Sequence, residues 1–103
     1  MLDIEKLEKV RKENYKTCFE RWYKRNDIER KIEVANSRGF DELTMTTSPN
    51  SENIRIYRMV KDDDFLNHLE IKLPGFRVWR KIENKKGILY DTEIIRIGIS
   101  WKR

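Results

Sequence analysis

Apolar residues recur at helical spacing along the N-terminal part of the chain. Placed about 100° apart, Ile4, Leu7, Tyr15, Cys18, Phe19 and Trp22 share one face, with Lys, Arg and Glu elsewhere. This pattern predicts an amphipathic helix from Ile4 to Tyr23. The stripe loses phase at Arg25-Asn26-Asp27, where a bend is expected, and Asn26 followed by Glu29 reads as a capping box opening a second helix. Ile28, Ile32 and Ala35 continue that helix as far as Ser37-Arg38-Gly39-Phe40. Gly39 suits the left-handed position after a helix end, and Phe40 is placed to fold back onto the last turn. The helical half therefore ends near residue 38.

The pattern then changes period. Leu43-Thr44-Met45-Thr46-Thr47 alternates apolar with polar and is rich in β-branched residues, as a half-buried strand is. Ser48-Pro49-Asn50-Ser51 reads as a loop. Ile54-Arg55-Ile56-Tyr57-Arg58-Met59-Val60 also alternates, and is expected to complete a hairpin with the strand before it. Asp62-Asp63-Asp64 supplies capping carboxylates for a third helix through Phe65, Leu66, Leu69 and Leu73, stopped by Pro74-Gly75. Phe76, Val78, Arg80 and Ile82 alternate with Arg77, Trp79 and Lys81 in a strand that ends at the turn Asn84-Lys85-Lys86-Gly87. In the last strand Ile95, Ile97, Ile99 and Trp101 form one face, and Arg96, Gly98, Ser100 and Lys102 the other. The predicted fold is α+β: N-terminal helices, then strand-strand-helix-strand-strand in a mainly antiparallel sheet.

Composition bounds this picture. A chain of 103 residues is the size of one domain, and no repeat, linker or low-complexity stretch divides it. Apolar residues make up 38% and charged residues 40%, a core-forming content inside a densely charged shell. Lys and Arg number 23 against 18 Asp and Glu, and the net charge of +5 favours acidic partners: nucleic acid, an anionic protein surface or a headgroup layer. One Cys excludes an intramolecular disulfide and fits a reducing, cytoplasmic compartment. The N-terminus is charged from its third residue, and no apolar run approaches the roughly 18 residues of a membrane span. No export signal and no membrane association are expected.

Candidate chemistry is sparse. With one His and one Cys there is no zinc-type cluster, and no Gly-rich phosphate loop is present, so no catalytic residue, metal or cofactor is expected. His68 is expected to be a helix-packing residue and Cys18 a small core residue. The run of residues 62–64 followed by Glu70-Ile71-Lys72 superficially matches the acidic and Glu-x-Lys elements of some metal-dependent nucleases, but helix capping accounts for the aspartates. Arg21, Lys24, Arg25, Arg30 and Lys31 read as the solvated face of the N-terminal helices.

The more informative set lies in the strands. Alternation directs Arg55 and Tyr57, then Arg77, Trp79 and Lys81, then Arg96, Ser100 and Lys102 toward one sheet face. If that face is open, its cations and aromatic planes suit single-stranded nucleic acid. If a helix covers it, Trp79 and Tyr57 are core residues and the long basic side chains reach solvent at the rim. Both readings stand at this level.

From about Ala35 to Trp101 the layout resembles that of small proteins encoded by tailed bacteriophages and prophages. The resemblance is carried by Ala35 and Gly39 before a Thr-rich strand, by the Leu-rich helix running into Pro74-Gly75-Phe76-Arg77-Val78, and by the closing Ile97-Gly98-Ile99-Ser100-Trp101. The loop from Asn84 to Thr92 and the extended N-terminal helices depart from the pattern, and no functional residue carries over. The resemblance implies a viral accessory protein in the host cell, a class that includes inhibitors of host defence and minor virion components. Together the sequence predicts a non-enzymatic protein that binds nucleic acid or an acidic or nucleic-acid-handling host protein. The alternatives are a virion or assembly protein that oligomerises through its first helix, and a small metal-dependent nuclease.

Overall fold

The computed structural model describes residues 2–48 and 53–102. The elements run α1 (Ile4–Arg25), α2 (Ile28–Ser37), β1 (Glu42–Thr47), α3 (Ile54–Lys61), α4 (Phe65–Lys72), β2 (Arg77–Lys85) and β3 (Thr92–Ser100). The class is α+β. The three strands form an antiparallel sheet in the order β1-β3-β2.

Asp3 opens α1, its carboxylate accepting the Glu5 N–H at 3.0 Å, and Lys24 and Arg25 complement the helix dipole in the last turn. Only the C-terminal half of the helix is packed. Phe19, Trp22 and Tyr23 are buried, whereas Ile4 and Leu7, expected on the same buried stripe, are 75% and 53% exposed. The first turns of α1 extend past the rest of the domain. The radius of gyration of 15.8 Å reflects this, against about 13 Å for a compact chain of this length.

Asn26 closes α1 rather than opening α2: its Nδ2 donates to the Trp22 carbonyl at 2.9 Å. The expected capping box does not form. Asp27 occupies the N-cap in the left-handed conformation (φ 48°) without a side-chain cap bond, so the bend is made by the backbone. At the other end of α2 the Gly39 expectation holds. Gly39 has φ 89°, its N–H reaches the Asn36 carbonyl at 3.0 Å and the Phe40 N–H reaches that of Ala35 at 3.0 Å, the bond pair of a Schellman motif. Phe40 itself stays 62% exposed.

Residues 54–60, expected as a strand, form helix α3. Asn53 caps it, accepting the Arg55 N–H at 2.8 Å, and Tyr57, Met59 and Val60 are buried on the side facing the core. The cap and this buried arc outweigh the β-branched character of Ile54, Ile56 and Val60. The order is therefore helix-helix-strand-helix-helix-strand-strand. The expected loop at Ser48-Pro49-Asn50-Ser51 lies mostly outside the described residues.

Helix α4 follows as expected, with Phe65, Leu69 and Leu73 buried. Capping is divided differently among the aspartates: Asp62 Oδ1 accepts the Asp64 N–H at 2.9 Å, and Asp64 makes no side-chain cap bond. Strand β2 runs through Lys85, so the hairpin loop spans residues 86–91 and begins two residues later than the turn expected at Asn84. Trp101 stops short of the sheet. It packs edge-on to Phe76 at 6.2 Å, and its Nε1 donates to Asn36 at 3.1 Å, pinning the C-terminal segment to α2.

The core lies between the helices and one face of the sheet. Ile95, Ile97 and Ile99 meet Phe19, Ile28, Val60, Phe65 and Leu69, all at 1% exposure or less. Arg80, on this same face of β2, turns its polar end to the helices, donating to the Val60 and Asp62 carbonyls at 2.7 and 2.6 Å. It thereby satisfies carbonyls that a helix end leaves open. Among the described residues no helix is long and apolar enough to cross a membrane.

Candidate nucleic-acid interface

Strand register determines what the opposite face of the sheet presents. Trp79 pairs with Gly98 and Lys81 with Arg96, while on the other side of β3 Thr44 pairs with Gly98 and Glu42 with Ser100. Pleating therefore groups Glu42, Thr44 and Thr46 with Arg96, Gly98 and Ser100 and with Arg77, Trp79, Lys81 and Glu83. No described helix packs on this surface. Arg77, Trp79, Lys81 and Thr44 are exposed, and Arg96 is partly so.

Trp79 is the centre of this surface. Its indole lies over Gly98, where a Cβ would come within 1.9 Å of the ring, so this approach requires glycine. The indole Nε1 donates to Glu42 Oε1 at 3.3 Å, reaching across β3 to β1. Gly98 is thereby buried while Trp79 keeps 36% of its area exposed. An aromatic ring supported on a strand backbone and open to solvent is a platform on which a base can stack.

The cations around it are partly engaged. Glu83 bonds Arg96 at 3.1 Å and lies 3.5 Å from Lys81. The Arg96 hydrogen bond, with Lys81 behind it, holds the Glu83 carboxyl below its ordinary range, so Glu83 is ionised at neutral pH. Arg77 has no ion-pair partner among the described residues. Of the cations on this face, Arg77 thus stands unpaired among the described residues, and Lys81 and Arg96 share Glu83.

The structure brings together only part of the expected set. Arg77, Trp79, Lys81 and Arg96 share the face with Ser100. Lys102 lies past the end of β3, exposed, its N–H donating to Ser100 Oγ at 3.3 Å. Arg55 and Tyr57 are absent from the face, because their segment is helical. Tyr57 is buried against the other side of the sheet, donating to Glu93, which also holds Lys61 at 2.8 Å. Burial, with this carboxylate contact, raises the Tyr57 hydroxyl to about 12, and the Glu93 carboxyl is lowered by the Lys61 and Tyr57 hydrogen bonds.

Arg55 instead joins Arg21 and Arg25 in a groove between α1 and α3. In the sequence Arg21 and Arg25 read as a plain solvated face; only the helical state of residues 54–61 brings a third arginine to them.

The remaining candidates are packing groups. The His68 ring lies 4.9 Å from Tyr15 and 5.3 Å from Phe19, and the partly buried Cys18 rests against the core. Lys72 pairs with Glu20 at 2.8 Å and, with Glu70, belongs to α4 rather than a strand. Among the described residues no group of three or more His, Cys, Asp or Glu converges as metal ligands do.

Helices α3 and α4 are joined by three residues, 62–64, the connection length of a helix-turn-helix unit. In such units the second helix meets DNA phosphates and bases with its N-terminal residues. Here that end carries three aspartates, and the same helix adds Glu70, so α4 repels the duplex backbone. The sheet face, by contrast, sets cations beside an exposed aromatic.

Comparison of the chain with protein-family models, with curated proteins and with solved structures finds no match.

Proposed function

We propose that the protein binds single-stranded nucleic acid on its open sheet face, stoichiometrically and without catalysis, as an accessory protein of the phage kind implied by the resemblance. The observation that carries this reading is Trp79, seated on Gly98 at the centre of an uncovered three-stranded face, with Arg77, Lys81 and Arg96 around it. A base stacks on the indole while neighbouring phosphates take Arg77 and displace Glu83 from Arg96 and Lys81. The net charge of +5 raises encounter rates with such a polyanion.

Fluorescence anisotropy with labelled single-stranded DNA and RNA, measured from low to physiological salt, tests the proposal. Affinity is expected to fall steeply with salt, each neutralised phosphate contributing about −0.7 to the log–log slope. Absence of binding at low salt, or binding indifferent to salt, removes it. A second reading, an assembly protein that oligomerises through α1, draws on the exposed Ile4, Leu7 and Val10. A monomer at all concentrations in sedimentation experiments removes that one.

A further inference from the structure

A second surface lies along the free edge of the sheet and meets the face just described at Glu42 and Thr44. Strand β1 pairs with β3 on one side only, so alternate N–H and C=O groups along its outer edge have no strand partner among the described residues. Beside that edge runs a groove of about 570 Å³ between α2 and β1. Its apolar lining comes from Val34, Ala35, Phe40 and Leu43. Val34 and Phe40 remain 41% and 62% exposed and adjoin one another in the groove beside the unpaired strand. Arg30, Lys31 and Arg38 also line the groove and outnumber its carboxylates, Asp27 and Glu42, and none of the three cations has an ion-pair partner among the described residues.

We infer that this groove takes an extended acidic peptide from a partner protein, added as a fourth strand along β1. A groove between a helix and an edge strand is the setting for strand addition, in which main-chain hydrogen bonds supply affinity and alternate side chains enter pockets. In an extended peptide successive side chains point to opposite sides. One set fits the floor formed by Val34, Phe40 and Leu43, and carboxylates on the other meet the three cations. A second copy of this chain fits poorly. A two-fold pairing of β1 edges would set the cationic rims of both copies against each other. A nucleic acid strand has no apolar side chains for the floor and no peptide groups for the edge. The inference does not rest on the sheet-face reading, since none of the three cations belongs to that face.

The test uses a fluorescein-labelled octapeptide alternating leucine with aspartate. A counterpart alternates leucine with lysine, and an acidic version is N-methylated at alternate peptide bonds. The acidic peptide is expected to bind saturably with a Kd below about 100 µM, and the N-methylated peptide at least about tenfold more weakly. Arg38→Glu and Lys31→Glu, both at exposed positions that preserve the fold, should each weaken the acidic peptide at least about fivefold. Amide resonances of Leu43 and Thr44 should shift on titration. No saturable binding overturns the inference, as does equal binding of the lysine peptide or indifference to the charge reversals. A dimer that the peptide dissociates would make a second copy the natural occupant and overturn it equally. Oligonucleotide affinity, measured in parallel on Arg38→Glu and Lys31→Glu, separates the two surfaces: both variants lower the net charge equally and leave the sheet-face cations in place, so any loss there should be alike and small beside the loss of acidic-peptide binding.

Discussion

Strand β3 presents two unlike faces from one alternating run. Ile95, Ile97 and Ile99 point toward the helices at 1% exposure or less, whereas Arg96, Gly98 and Ser100 point away from them toward a surface that no described helix covers. The same backbone therefore carries a core on one side and a platform on the other. The inner face is held by volume: Phe19, Trp22 and Phe65 form an aromatic cluster with centroid separations from 5.2 to 5.9 Å against the isoleucines. The outer face is held by the seating of Trp79 on Gly98 and by single polar links: Trp79 to Glu42, Arg96 to Glu83. Changes on the inner side are expected to register as lost stability, and changes on the outer side as lost binding.

The largest expected effect is on the inner face. Ile97→Ala removes a fully buried side chain from the central strand and should cost about 2–5 kcal/mol, lowering Tm by roughly ten degrees or more in a domain of this size. A Tm within two degrees of wild type would mean that the core is misplaced.

Titration gives a second way to separate the faces, because the tyrosines raised by burial all sit on the inner side. Tyr57 and Tyr23 are raised to about 12, both mainly by burial, and Tyr15 is raised as well by burial and by Asp62 and Asp64. A raised folded-state value favours the protonated form, so their contribution is complete below the unfolded value of 10.0 and is lost as pH climbs through the folded values. Denaturant midpoints are expected to be flat from pH 7 to 9 and to fall above pH 10. On the acid side Glu83 and Glu93 are lowered from 4.5, so their contribution is present above that value and is lost as pH falls below it. Since Glu93 bonds the buried Tyr57 and Glu83 lies on the open face, Glu93→Gln should cost more stability than Glu83→Gln. Equal losses would argue against the distinction between the faces.

A smaller effect sharpens the comparison at one residue. Gly98→Ala places a methyl where the Trp79 ring sits. The ring stands on the exposed face and can swing away, and alanine is the better strand residue by roughly 0.5–1 kcal/mol. Stability should change by less than about 1 kcal/mol while acrylamide quenching of the tryptophan emission increases. Loss of the fold would show that Trp79 is buried after all.

Much of the inner face was legible in the sequence because it depends on period alone. Ile95, Ile97 and Ile99 declare a half-buried strand, Phe65 and Leu69 with the aspartates before them declare α4, and Gly39 declares the end of α2. The outer face was only partly legible. Arg77, Trp79, Lys81 and Arg96 follow from alternation, but the contacts of Trp79 with Gly98 and Glu42 require the register of three strands. The misreading of residues 54–60 has a local cause. Isoleucine and valine at every second or fourth position look like a strand, and what decides for α3 is one side-chain bond from Asn53 together with packing against α1, where the Tyr15 hydroxyl donates to the Met59 carbonyl at 3.0 Å. A helical period is present as well, since at 100° per residue Arg55, Arg58 and Lys61 fall on one side and Ile56, Tyr57, Met59 and Val60 on the other, but the alternation of residues 54–57 competes with it and places Arg55 and Tyr57 on the sheet. The exposure of Ile4 and Leu7 was illegible too, since an amphipathic stripe does not say where its partner ends.

The most direct test of the central claim is Trp79→Ala, measured for both thermal stability and single-stranded oligonucleotide affinity at physiological salt. With Trp79 as an exposed stacking platform, affinity should weaken by about 1–3 kcal/mol, five- to 150-fold, with a stability loss under roughly 1.5 kcal/mol. A stability loss of several kcal/mol, or a wild-type protein that does not bind oligonucleotides, would contradict the open face as a nucleic-acid site.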